Sequence, residues 1–150
     1  AYEIMPSLVG SEMCIRDRFK IGRGVVVREG SDVTIIACGL MVAEALEAAE
    51  ALAADGIDAE VINMHTIKPL DERLVVASAK KTGRVVTAEE HSIIGGLGEA
   101  VASVLAEQYP VPMRRVGVRD VYGESGPAVD LLHKYDLDAD GIEAAVRSVL

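Results

Sequence analysis

From residue 19 onward the chain falls into blocks whose apolar positions repeat with one of two periods. "GVVVRE", closed by Gly30, Ser31 and Asp32, reads as a short strand. "DVTIIACG" is an uninterrupted apolar strand, as strands buried on both faces are. Val42, Ala45, Leu46, Ala49 and Leu52 then fall on one face of a helix, stopped by Asp55 and Gly56. "DAEVINM" is the next strand. Pro69, with the acids Asp71 and Glu72, opens a second helix that Lys80 and Lys81 end and Gly83 stops. Both charge placements suit the helix dipole. "GRVVTAEE" predicts another strand, and Leu97, Ala100, Val101, Val104 and Leu105 a third helical face. Pro110 and Pro112 end that unit, and "MRRVGV" is the last strand. Ser125 is placed to cap a short helix with Pro127 just inside it. Asp140 and Glu143 have the spacing of a capping box, with Asp in the Ser/Thr position. They open a final helix along Ile142, Ala145, Val146, Val149 and Leu150.

Strands that alternate with helices predict a three-layer α/β domain with a mainly parallel sheet. Right-handed crossovers would place helices on both faces. The 150 residues fit one domain. Half are apolar but only 3% are aromatic, with no Trp, so the core must come from Val, Ile, Leu and Ala. The net charge of −9 repels phosphate backbones, which argues against a nucleic-acid partner. No apolar run approaches the roughly 18 residues of a membrane span. Cys14 and Cys38 are the only cysteines, too few for a disulfide framework or a zinc site. Cys38 is expected as a buried thiol of a cytoplasmic protein, and the N-terminus lacks the pattern of a signal peptide.

Residues 1–18 have neither strand alternation nor a helical stripe. "SLVGSEMCIRDR", from Ser7 to Arg18, resembles a string met in translated environmental assemblies, where sequencing-adapter DNA was read as protein. The expectation is a non-native or disordered leader over 1–18 and a domain over 19–150.

The chemistry-bearing stretch is "VTAEEHSIIGGLGEA". Glu89, Glu90 and His91 stand at the carboxyl end of a strand, where open α/β sheets bind ligands. A carboxylate beside an imidazole can tune proton transfer. Equally, the histidine can donate to a backbone carbonyl and lock a turn. Gly95, Gly96 and Gly98 precede a helix whose N-terminus attracts anions. They match neither G-x-G-x-x-G nor the P-loop, and Glu99 would compete with a bound phosphate. Glu90, His91, Gly95, Gly96 and Gly98 are therefore candidate interdomain or anion contacts. His65 and His133 have no partner at ligand spacing, which leaves no metal site. Ser125 is outside a G-x-S-x-G elbow, and Lys68 reads as solvated. No catalytic, cofactor-binding or metal-binding residue emerges.

"EGSDVTIIACGLMVAEALEAAEAL", "VINMHTIKPLDE", "VVTAEEHSIIGGLGEAVASVL" and "VYGESG…LLHKYDL", in that order, resemble the C-terminal domain of transketolase, most of all the C-terminal subunit of split transketolases. The resemblance covers roughly Phe19 to Leu150. It implies a three-layer α/β/α sandwich around a five-stranded, mostly parallel mixed sheet whose first strand runs antiparallel. It also implies a parent enzyme that moves ketol units between sugar phosphates with thiamine diphosphate and Mg. That family's G-D-G…N-N motif and pyrimidine-activating glutamate lie on other domains and are absent here, so the chain is expected to bind no cofactor. Its implied partners are a pyrimidine-binding domain, an N-terminal transketolase subunit and a second copy in a homodimer. Its implied role is docking and stability. In "KYDL", Asp136 stands where the family usually has glycine, at a left-handed helix end. Two neighbouring families end in a similar domain: 1-deoxyxylulose-5-phosphate synthase and the beta subunits of 2-oxo acid dehydrogenases. A stand-alone interaction or anion-binding domain is the alternative of another class.

Overall fold

The structure is a computed structural model that describes residues 19–150; the leader expected over 1–18 lies outside the described residues. Strands β1 (Val25–Arg28), β2 (Val33–Ala37), β3 (Ala59–Asn63), β4 (Val85–Ser92) and β5 (Met113–Val118) alternate with helices α1 (Met41–Ala54), α2 (Glu72–Thr82) and α3 (Leu97–Gln108). Two further helices, α4 (Ala128–Lys134) and α5 (Ala139–Arg147), follow β5. The five strands form one sheet in the order β1-β3-β2-β4-β5. β1 runs antiparallel to β3, and all other pairs are parallel. This is the mixed sheet that the resemblance implied.

Each strand face meets a different helical layer. Ile35, Ala37, Val61, Val86 and Val116 pack against α1 and α5, with Leu52 and Ile142 at the centre. Ile36, Ile62 and Val85 pack against α2 and α3, with Val75, Val101 and Leu105 opposite. β2 is buried at every position, which is why its sequence shows no alternation. Burying side chains of this size contributes about 1.5–3 kcal/mol each.

Helix ends follow local chemistry, with two departures. Asp71 caps α2 by accepting from the Leu74 amide, Lys80 and Lys81 fill its last turn, and Gly83 ends it at φ 71°. α5 is capped by Asp138, which accepts from the Gly141 amide, so the expected cap at Asp140 moves two residues earlier and Asp140 sits in the first turn. Two neighbours settle that choice: Glu44 takes the Ala139 amide at 3.0 Å, and His133 holds Asp138 at 2.7 Å. At α4, Pro127 is the N-cap rather than the first helical residue, and Ser125 makes no cap. Asp136, after α4, has φ 55°, the left-handed conformation expected of it.

Candidate functional site

The carboxyl ends of β2, β3, β4 and β5 and the start of antiparallel β1 share one edge of the domain. β4 runs to Ser92, past the Glu90 at which its sequence pattern ends, because Ser92 pairs with Val118 of β5 beyond an irregularity after Ala88. That pairing splits the acidic pair. Glu89 turns inward and is 1% exposed, while Glu90 and His91 face solvent.

Glu89 spans the strand-to-helix turn. Its two carboxylate oxygens accept from the Leu97 amide at 2.7 Å and the Gly98 amide at 2.8 Å. These are orphan donors of the first turn of α3, whose N-cap, Gly96, offers no side chain. A carboxylate there also meets the positive end of the helix dipole. Glu99 reaches back to the Gly95 amide. The anion-attracting end of α3 is thus occupied by the chain's own carboxylates.

The glycines are explained by what they approach. A Cβ on Gly96 would overlap the Glu89 carboxylate. A Cβ on Gly98 would lie 2.8 Å from both Thr87 Oγ1 and Arg115 Cδ. Gly96 and Gly98 are buried, whereas Gly95 is exposed with φ 78°. The His91 Nδ1–H donates to the Ser92 carbonyl at 2.8 Å, and the Ser92 hydroxyl accepts from the Ile94 amide at 3.2 Å. Arg115 fastens the turn by donating to the Ile93 carbonyl at 2.9 Å.

The remaining candidates make no hydrogen bond to this turn. Cys38 follows β2 and is half-buried; burial, then the nearby Glu89 charge, pushes its thiol above the usual range. It is therefore a protonated thiol at neutral pH rather than a nucleophile. His65 stacks on Phe19 with ring centroids 4.1 Å apart and bonds Thr66 through Nδ1. His133 belongs to the α4–α5 corner, and Lys68 and Ser125 are exposed. Among the described residues, no group of three or more His, Cys, Asp or Glu side chains could hold a metal ion. Nor is any described helix long and apolar enough to cross a membrane.

Sequence reasoning did not find the apolar rim of this edge. Leu40, Ile67, Ile94 and Tyr122 project from the four loops that follow the parallel strands, and Phe19 and Ile21 join them ahead of β1. Their exposures run from 39% at Ile67 to 97% at Tyr122. The available signal was the recurrence of large apolar residues, such as Leu40, Ile67, Ile94 and Tyr122, within the loops after the strands.

The chain matches the family model "Transketolase, C-terminal domain" over residues 22–142. It is 57% identical over 133 residues to the 6-deoxy-6-sulfo-D-fructose transketolase subunit SqwH of a Clostridium species, covering 89% of this chain and 41% of that protein. It is 44% identical over 130 residues to the 1-deoxy-D-xylulose-5-phosphate synthase of Heliobacterium modesticaldum, covering 86% of this chain and 20% of that one. A solved structure, "Split gene transketolase, inactive beta4 tetramer", superimposes with a TM-score of 0.85 at 59% identity, covering 89% of this chain and 44% of that one. The chain thus spans less than half the length of these relatives. The matched residues include both helical layers, the turn closed by Glu89 and the antiparallel first strand, and the chain belongs to the transketolase C-terminal domain family.

Proposed function

We propose that residues 19–150 form the docking and stabilising domain of a thiamine-diphosphate-dependent transketolase that moves ketol units between sugar phosphates in the cytoplasm. The observation that carries this reading is the apolar rim. Six large apolar side chains exposed at one edge are what a domain presents where it packs against another. Phe19, the first described residue, lies on the same rim, stacked on His65. Glu90, His91 and Gly95 are exposed beside Ile94 and would contact the neighbour; buried Gly96 and Gly98 act only through the shape of the turn. The neighbour is a pyrimidine-binding domain, within an assembly that includes an N-terminal subunit and a second copy. Transketolase is favoured over deoxyxylulose-phosphate synthase by the higher identity, 57% against 44%.

Thiamine diphosphate supplies the carbanion chemistry of such an enzyme when bound. The residues of this chain do not fit it. The N-termini of α2, α3 and α5 are filled by Asp71, Glu89 and Asp138, and the described residues hold no metal-ligand group. No catalytic step is routed through this chain, and its work is mechanical.

The test is to co-produce the chain with the portion of the Clostridium relative that it does not cover. Co-elution on size exclusion is expected, and the Ile94→Asp/Tyr122→Asp variant should abolish it while keeping the far-UV spectrum. A monodisperse chain that neither co-elutes nor binds a hydrophobic dye would overturn the reading in favour of a stand-alone domain.

A further inference from the structure

Among the described residues β5 ends the sheet, and one side of its backbone has no neighbouring strand. Beside it runs a groove of about 430 Å³, lined by β5, by Tyr135 and by the small residues Gly141, Ala144, Ala145 and Ser148 of α5 and the residue after it. Three arginines, Arg114, Arg115 and Arg119, also line it. Among the described residues none of the three has an ion-pair partner, in a chain of net charge −9. The hydroxyl of Tyr135, in the same wall, is shielded from solvent and has no hydrogen-bond partner among the described residues.

The arginines are spread rather than convergent. Val116 and Val118 pack toward α1 and α5, so Arg114 shares that face by strand alternation. Arg115 points the other way, against Gly98 and the Ile93 carbonyl. Positive charge therefore flanks the open backbone on both faces of the sheet. A small anion would find no single pocket here. An extended chain would: its backbone can continue the ladder while alternate side chains meet Arg114 on one face and Arg115 on the other. A second copy of β5 fits poorly, because pairing the strand with itself brings arginines from both copies together. Asp136 and Asp140 border the groove at the α4–α5 corner and limit the acidic stretch to the β5 side.

We propose that the open edge of β5 is a strand-addition site for an extended acidic segment of a partner polypeptide, laid in the groove between β5 and α5. Small residues on α5 leave room for the added backbone, and the Tyr135 hydroxyl supplies a donor that no described residue uses.

The test uses the full chain and a fluorescein-labelled decapeptide of alternating glutamate and valine, with a lysine–valine decapeptide as control. The acidic peptide should bind and slow amide exchange along β5, and the basic one should not bind. Arg114→Glu/Arg119→Glu, at two exposed positions, should weaken binding of the acidic peptide at least tenfold and admit the basic one. Ala144→Leu, which narrows the groove without changing charge, should weaken binding with no switch in preference. Equal binding of both peptides, no binding of either, or protection away from β5 would overturn the proposal. So would β5 protection that appears with protein concentration alone, since the occupant is then a second copy. Circular dichroism of each variant separates lost binding from lost fold.

Discussion

The two ends of the parallel strands are built to opposite plans. The amino end is closed by polar pairs. Asp58 accepts from the Ser31 and Asp32 amides at 3.0 and 2.8 Å through its carbonyl, and Asp32 returns the bond through its side chain at 2.7 Å. Lys81 joins exposed Glu29 to buried Glu60, and Thr34 meets Thr82 at 2.8 Å. The carboxyl end has two buried carboxylates, Glu89 and Asp71, each accepting from helix N-terminal amides, beneath a rim of exposed apolar residues. The docking surface proposed above rests on this difference, because the loops at the carboxyl end hold exposed apolar residues where the amino end holds polar pairs.

The sharpest way to break the comparison is at Glu89. Glu89→Leu orphans the Leu97 and Gly98 amides in the interior and should cost about 3 kcal/mol or more, a fall of roughly 10 °C in Tm. Thermal melts followed by circular dichroism check this, and a fall under about 3 °C would mean that the turn does not depend on it. At the sealed end, Lys81→Met leaves Glu60 buried without its ammonium partner. The expected cost is about 2 kcal/mol, below that of a fully buried pair because the Lys81 side chain is 39% exposed. Urea titration measures it, and a cost above that of Glu89→Leu would reverse the ranking of the two ends.

Back at the carboxyl end, Asp136→Gly relieves a left-handed residue and should raise stability by up to about 1 kcal/mol. A clear drop in Tm would contradict the strain account. The rim should matter least to the isolated fold. Ile94→Asp/Tyr122→Asp is expected to shift stability by less than about 0.5 kcal/mol while removing hydrophobic-dye binding.

The gentlest probe is pH at the α4–α5 corner. The hydrogen bond to Asp138 raises the His133 pKa above 6.5. Burial pulls Asp138 upward, but the Gly141 amide and His133 together outweigh it and hold its pKa below 3.8. The histidine's contribution is complete below 6.5 and is lost as pH rises through its raised value. The aspartate's contribution is complete above 3.8 and is lost as pH falls through its lowered value. A His133 resonance titrating at or below 6.5 would show that the pair does not form in solution.

Legibility in the sequence tracked how local each cause is. The end of α2 was readable to the residue, because Lys80, Lys81 and Gly83 act within their own turn, whereas its start fell at Glu72, after the expected opening at Pro69. The bounds of β5 were readable for the same reason, between Pro112 and the polar loop after Val118. Distant contacts hid the rest. Asp138 outcompeted Asp140 as a cap because Glu44, far back in α1, binds the Ala139 amide. β4 outran its pattern because β5 pairs with Ser92. Glu89 and Glu90 are adjacent and alike on paper, and only the fold sends one to the amides of α3 and the other to solvent. The rim was invisible to periodicity because its members come from separate loops.

α5 lies against α1, tied through Glu44 to the Ala139 amide and through Asp55 to Arg147 at 2.6 Å. That contact has a consequence in time. α1 leaves the ribosome about ninety residues before α5, several seconds at ordinary elongation rates. Throughout that interval the face around Ala45, Ala49 and Leu52 has no cover, although the central strands beneath it can already pair. The nascent domain must wait for α5, and a chain whose synthesis halted before Ala139 would hold an assembled sheet with one side bare.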